Sequence, residues 1–434
     1  MMHQVKKKSL RIITLGCSKN LVDSEKLLGQ LPEDAYMVEH EGSGEADIVI
    51  VNTCGFIHDA REESIDTILE LVDARQQGMV GEVLVTGCLS QRYMDDLRKE
   101  IPEVDAWFGV HNQQDIIEYL QAAHKNNNSS RVLSTPMHYA YLKIAEGCDR
   151  TCSFCAIPLI RGAYVSVPVD DLVKETEILA SQGVRELILI AQDTSYYGLD
   201  ISGKPMLAGL LRRLCRVDGI HWIRLQYAYP HHFSDEIIQV MASEPKICKY
   251  LDIPLQHIND HILQSMRRGH NRETTLGFLA SLRQHIPNVA LRTTLMVGYP
   301  GETQDAFEEL LAFVAETRFD RLGVFTYSPE EGTRAYGLDD SVPQYLKEQR
   351  ANAIMELQEN ISLEINSSKI GKTFEVIIDR LEGEYLVGRT EFDSPEVDNE
   401  VLITKTGQLA PGQFARVLVT GADAFDLYAS FVES

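Results

Sequence analysis

The chain has 434 residues, 44% apolar and 24% charged, with Lys plus Arg at 41 and Asp plus Glu at 64, a formal charge of −23. Such a composition belongs to an ordinary globular protein of two or three domains. No apolar run reaches the roughly 18 residues of a membrane span, and so acidic a balance disfavours a surface built to grip phosphate backbones and favours a basic partner.

Along the chain, MMHQVKKKSLRIITLG is a short basic tail entering a strand. It has no sustained apolar segment or cleavage site, so secretion is not expected and a cytoplasmic location is. Residues 9–125 alternate apolar strands (RIITLG, ADIVIVNT, EVLVTG) with helical stretches, which predicts a parallel sheet covered by helices, an α/β domain. Residues 126–136 fall in a polar Asn/Ser-rich stretch that reads as a linker. Over 137–366 the strand–helix rhythm resumes with six strand candidates, from YAYLKIAEG to RLGVFTYSP, and predicts a partial (β/α) barrel whose chemistry lies on loops leaving the C-terminal strand ends. A long charged helix bridges to 367–434, where five short alternating runs predict a small antiparallel β-barrel.

The eight cysteines are too few for a disulfide framework in so long a chain and point to thiolate ligands in a reducing compartment. Cys148, Cys152 and Cys155 fall in EGCDRTCSFCAIP, directly after the first barrel strand. Three soft thiolates on one tight loop suit three corners of a 4Fe–4S cube, with the fourth iron open. A zinc knuckle would need a fourth ligand, and His138 and Asp149 are poorly placed or too hard. Cys17, Cys54 and Cys88 lie far apart in sequence, yet each follows an apolar strand beside a glycine. Strand ends of a parallel sheet line one crevice, so these three thiols are expected to converge on a second open cluster. A nucleotide site there lacks the G-x-G-x-x-G turn. Cys215 and Cys248 are expected to be packing residues.

In this order the motifs TLGCSKN, NTCGFI, GCLSQR and GCDRTCSFCAIPLIRG, followed by the small C-terminal barrel, resemble the radical SAM methylthiotransferase family over nearly the whole chain. The resemblance implies two 4Fe–4S clusters, one binding S-adenosyl-L-methionine and yielding a 5′-deoxyadenosyl radical, the other handling sulfur. It implies a TRAM-like substrate-recognition domain at 367–434 and a low-potential electron donor such as flavodoxin or ferredoxin. Hydrogen-atom abstraction leaves a neutral radical, so no acid/base pair is nominated.

Two branches of the family differ in substrate, a tRNA adenosine beside the anticodon or the β-carbon of an aspartate in ribosomal protein S-twelve. CSKNLVDSE and GRTEFDSPEVDN resemble the ribosomal-protein branch. Residues 371–434 carry five Lys/Arg against twelve Asp/Glu, a net −7, which suits a basic protein better than tRNA. An iron–sulfur scaffold without catalysis is the reading from a different class. By resemblance Phe154, Gln192, Asp193 and Thr294 contact the cofactor and Arg292 meets the cofactor carboxylate or substrate. Asp193 or Thr194 is alternatively a helix N-cap, and the anion beside Arg292 is alternatively an internal carboxylate. Gln256, His257, Arg267 and Arg268 are placed near the same face; His257 is a proton shuttle or a structural histidine, and Arg161 closes the cysteine loop.

Overall fold

The computed structural model describes residues 7–120, 131–404 and 409–432. The N-terminal six residues and positions 126–130 of the expected linker lie outside this range. Near the start of the chain, β-branched runs form a parallel sheet of five strands: β1 (Lys8–Thr14), β2 (Tyr36–His40), β3 (Ala46–Thr53), β4 (Val80–Gly87) and β5 (Ala106–Trp107), in the order β2-β1-β3-β4-β5. Residues 47–53 of central β3 are buried from Ile48 onward, because helices cover both faces of the sheet. The helices that matter for the site are α1 (Ser18–Gln30), α2 (His58–Gln76), α3 (Cys88–Glu100) and α4 (Gln113–Tyr119). Edge strands β2 and β5 are half polar or only two residues long, and no apolar run in the sequence announces them.

The second sheet begins with β6 (Tyr139–Lys143). A two-stranded antiparallel pair, β7 (Ala145–Glu146) and β8 (Val165–Ser166), brackets the cysteine loop and the short helix α5 (Ile157–Arg161). Then follow β9 (Glu186–Ile190), β10 (Trp222–Leu225), β11 (Ile247–Gln256), β12 (Ala290–Val297) and β13 (Arg321–Thr326). Strands β6 and β9 to β13 make one six-stranded sheet in the order β13-β12-β11-β10-β9-β6, every pair parallel. Its period-2 pattern sends Leu142, Leu187, Leu189, Leu251 and Leu291 into the helix-covered core. The sheet is not closed, as a partial barrel requires.

After the helix Gln344–Ser367, five strands close a barrel: β14 (Thr373–Glu382), β15 (Tyr385–Thr390), β16 (Val401–Thr404), β17 (Phe414–Ala422) and β18 (Leu427–Phe431). It is antiparallel except at one seam, where β16 pairs parallel with β18.

The connection between β15 and β16, residues 391–400, does more than join strands. Together with Arg389 it lies across the inner face of the six-stranded sheet and receives a polar contact from every strand. Tyr139 and Tyr141 of β6 donate to Glu396 (3.0 and 3.4 Å), and Glu186 of β9 pairs with Arg389 (2.8 Å). Arg224 of β10 donates to the Glu391 carbonyl (2.7 Å), and Tyr250 of β11 and Arg292 of β12 both reach Asp398 (2.8 and 3.2 Å). Arg321 of β13 pairs with Asp393 (3.1 Å). Burial costs each of these charges its hydration, so each is stable only with its partner. Arg389 is held by both Glu186 and Asp379, all inside the protein. Replacing Arg389 with Ala leaves Glu186 with only Arg224 and Asp379 with only His138 and is expected to lower the stability of the unit by about 1–3 kcal/mol, read as a shifted midpoint in chemical denaturation; the milder Glu186→Gln keeps a hydrogen bond and should lose less.

Candidate active site

The three cysteines of the first domain sit at the C-terminal ends of three adjacent parallel strands. Cys17 is the N-cap of α1 after β1, Cys54 follows β3, and Cys88 opens α3 after β4. The turns that carry them touch. Gly16 has φ +89°, and a Cβ there would stand 2.7 Å from the Cys54 sulfur; a Cβ on Gly55 would stand 2.6 Å from the backbone of Leu89, beside Cys88. Only glycine lets these strand ends approach so closely.

Asn20, buried on α1, binds the three ends together. Its Nδ2 donates to the Leu15 carbonyl (2.8 Å) and the Thr53 carbonyl (3.1 Å), and the Cys88 thiol donates to its Oδ1 (3.6 Å). The same Oδ1 accepts from Arg161 at 2.5 Å. Arg161 follows the other cysteine loop on α5 and also reaches Glu146 (2.8 Å) and Asp23 (3.1 Å). Cys88 packs against Ala156 and Ile160, which flank the start of that helix just after Cys155. The two cysteine sets therefore face one another across one interface. Arg92 strengthens it, donating to Gly55 O (3.1 Å) and Glu330 (2.8 Å); Arg61 shares Glu330.

The loop from Cys148 to Cys155 is fixed by Ser153, whose N–H donates to Met266 O (3.0 Å) and whose hydroxyl bonds Ser265 O and the Tyr299 hydroxyl. Arg268 is buried and donates to the Cys152 sulfur at 3.3 Å while lying 4.4 Å from the centre of the Tyr229 ring. All six cysteines are free thiols. Burial pushes the Cys88 and Cys155 thiols up to about 12 and Cys148 up to about 11. Loss of hydration makes an uncompensated thiolate costly here, whereas a coordinated metal deprotonates the thiol outright. Among the described residues no three His, Cys, Asp or Glu side chains gather closely enough to grip a single ion. Soft thiols in two sets of three, half of them buried and the rest half-buried, with Arg161 and Arg268 beside them, instead have the donor chemistry that suits anionic iron–sulfur clusters.

The other expected residues divide. Gln192, just beyond β9, and Thr294, midway along β12, are half-buried and make no side-chain hydrogen bond to any described residue, so their polar groups are free for a ligand. Phe154 packs beside Met266, Met296 and Tyr299. Asp193 caps the turn Thr194–Tyr196 through the Ser195 N–H (3.0 Å) and pairs with Arg150 of the cysteine loop (2.7 Å). Its carboxylate thus orders the loop, the N-cap alternative. Arg292 meets the internal-carboxylate alternative: its guanidinium is held by Asp252 (3.0 Å) and Asp398 (3.2 Å). His257 is fully buried between the Asn259 N–H and Glu302, a structural histidine. Asn20, Lys143 and Arg150 escaped the sequence reading because their partners lie on other domains or distant strands; the pairing of Asn20 with Cys17 in CSKN was the available signal.

Residues 142–314 match the Radical SAM superfamily, residues 9–109 an uncharacterized protein family, UPF0004, and residues 370–432 the TRAM domain. Among solved structures the radical S-adenosylmethionine methyltransferase TsrM from Kitasatospora setae, with cobalamin and a 4Fe–4S cluster bound, superposes with a TM-score of 0.54 at 14% identity, covering 74% of this chain and 75% of that one. That likeness is one of fold alone. The fold and these matches define a radical SAM protein with a C-terminal TRAM domain. Ribosomal protein uS12 methylthiotransferase RimO of Christiangramia forsetii is 55% identical over 98% of this chain and 94% of its own length. The RimO of Cytophaga hutchinsonii is 52% identical over 98% of each. The chain belongs to the RimO family.

Two outcomes check this geometry. Asn20→Ala removes the shared partner of Leu15 O, Thr53 O and Arg161; it should cost about 1–3 kcal/mol and speed iodoacetamide labelling of Cys17, Cys54 and Cys88 in the metal-free protein. His270, buried with Arg268 and Arg150 nearby, is pushed down to about 3. Its imidazole should stay neutral in a histidine NMR titration from pH 8 to 5. Because the unfolded chain protonates near pH 6.5, its contribution is fully present above that pH and is lost as pH falls toward 3.

Proposed function

We propose that this enzyme transfers a methylthio group to the β-carbon of an aspartate in ribosomal protein uS12, in the cytoplasm. Cys148, Cys152 and Cys155 hold a 4Fe–4S cluster with an open iron for S-adenosyl-L-methionine, and Cys17, Cys54 and Cys88 hold a second cluster at which sulfur is delivered. The observation that supports this is the packing of Cys88 in one buried cluster with Ala156 and Ile160, directly after the cysteine loop.

When bound, the reduced first cluster and S-adenosyl-L-methionine supply the 5′-deoxyadenosyl radical for hydrogen abstraction, with electrons from a donor such as flavodoxin or ferredoxin. The chain's own residues orient and enclose. Arg268 donates to the Cys152 sulfur and lowers the charge the loop must carry. Gln192 and Thr294 offer free polar groups to the nucleoside sulfonium, and Phe154 packs the loop onto the sheet. The helix α1 closes over the mouth of the sheet, where Leu21 and Val22 pack with Tyr141 and Ile190, and excludes water from the radical. In this reading residues 9–125 carry the sulfur-delivering centre, 126–136 link, 137–366 form the radical core and 367–434 the TRAM-like recognition domain.

Mass spectrometry of uS12 from a deletion strain should show the methylthio group lost; an intact uS12 with loss of a methylthio-adenosine from tRNA instead would overturn the substrate assignment. Anaerobically prepared enzyme should hold about eight irons, falling to about four in Cys54→Ala. That variant should still release 5′-deoxyadenosine but transfer no methylthio group, while Cys152→Ala should do neither.

A further inference from the structure

Eleven Lys and Arg side chains are buried among the described residues. Nine of them, including Lys143, Arg161, Arg224, Lys347 and Arg350, meet a carboxylate. Arg268 meets the Cys152 sulfur. Lys19 meets neither. It is 4% exposed, and its ammonium lies 3.0 Å from the centre of the Tyr227 ring, with no hydrogen bond or ion pair to any described residue. Asp23, one helical turn along α1, is committed to Lys143 and Arg161. A cation–π contact offsets part of the lost hydration, but an ammonium on so enclosed a side chain, without an anion, remains costly.

The position of this cation narrows what the anion is. Lys19 stands in the first turn of α1, two residues after Cys17. Tyr227 follows the C-terminal end of β10, held in a left-handed conformation with φ +57°, its N–H on Asp252 and its carbonyl accepting from Thr194. The ammonium is therefore at the mouth of the six-stranded sheet, on the wall that carries the first-domain cysteines and facing the core that carries the cysteine loop.

We propose that Lys19 is the residue that binds the carboxylate of the substrate aspartate. This rests on the reading of the enzyme as an aspartate methylthiotransferase. The carboxylate is bonded directly to the carbon that receives the methylthio group, so an ammonium gripping it from the Cys17 side fixes that carbon between the two cysteine sets. Tyr227 holds the ammonium in place until the substrate arrives. Aspartate is preferred over asparagine because only the carboxylate neutralises the buried charge.

The methionyl carboxylate of S-adenosyl-L-methionine is the other source of the same chemistry, and the experiment separates them. Reconstituted Lys19→Met and Lys19→Gln enzymes are compared with the unaltered enzyme on uS12 bearing the target aspartate or asparagine, with iron content and S-adenosyl-L-methionine binding without uS12 measured in parallel. Lys19→Met should weaken uS12 binding, read as KM and as direct affinity, by about 10- to 100-fold, with iron content and S-adenosyl-L-methionine affinity unchanged. The unaltered enzyme should lose a similar factor on the asparagine form, and the neutral variants should barely distinguish the two forms, so that the effects do not add. Loss of S-adenosyl-L-methionine affinity in the absence of uS12 would assign the carboxylate to the cofactor and overturn the proposal. Equal discrimination between aspartate and asparagine with and without the lysine would overturn it too. If the unaltered enzyme neither binds nor modifies uS12, the aspartate reading itself falls, a result distinct from either.

Discussion

One buried guanidinium ties the site together. Arg161 belongs to the radical core, yet its hydrogen bonds run to Asn20 and Asp23 on α1 as well as to Glu146 beside the cysteine loop. A charge with 1% of its surface exposed has no water to fall back on, so its partners must all be in place at once. Because Asn20 in turn holds the strand ends carrying Cys17 and Cys54 and meets the Cys88 thiol, the geometry of one cysteine set is linked to that of the other through two side chains. Two domains with separate cores thus build one site.

Such a junction explains the distribution of charge around the thiols. Buried sulfur ligands become anions when they bind metal, and the protein places Arg161 on one side and Arg268 on the other rather than lysines free to move. Guanidinium groups keep their charge at any working pH and offer several donors in a fixed plane. Acidic residues close by are committed to Arg161, whereas Arg268 and Lys19 meet no carboxylate, so the pocket keeps positive charge for negative ligands.

Much of this architecture was legible in the sequence for a plain physical reason. The β-branched runs are buried in parallel strands and the cysteines stand immediately after them, so strand prediction alone placed the thiols at one edge. What escaped was contact between elements far apart along the chain. The arginine at 292 looked like a ligand for something bound, because nothing near it in sequence showed that Asp252 and Asp398 would meet it. The acidity of the C-terminal segment is similarly less outward than a residue count implies: Asp379, Asp393 and Asp398 turn inward to pair with arginines. Their contribution is to packing, and the outward acidity of this segment rests on exposed glutamates such as Glu382 and Glu384.

The loop laid across the inner face of the sheet has a consequence for how the polypeptide matures on the ribosome. Strands carrying Glu186, Arg224 and Arg321 emerge well before residues 389–398 are translated; until then Glu186 and Arg224 have only each other, and Arg321 lacks the Asp393 carboxylate that makes its burial tolerable. A nascent chain ending before that barrel would hold an open, hydrated groove where the folded protein has residues 391–400 laid across the sheet. The radical core therefore completes its interior only once residues 389–398 have emerged and folded back onto it.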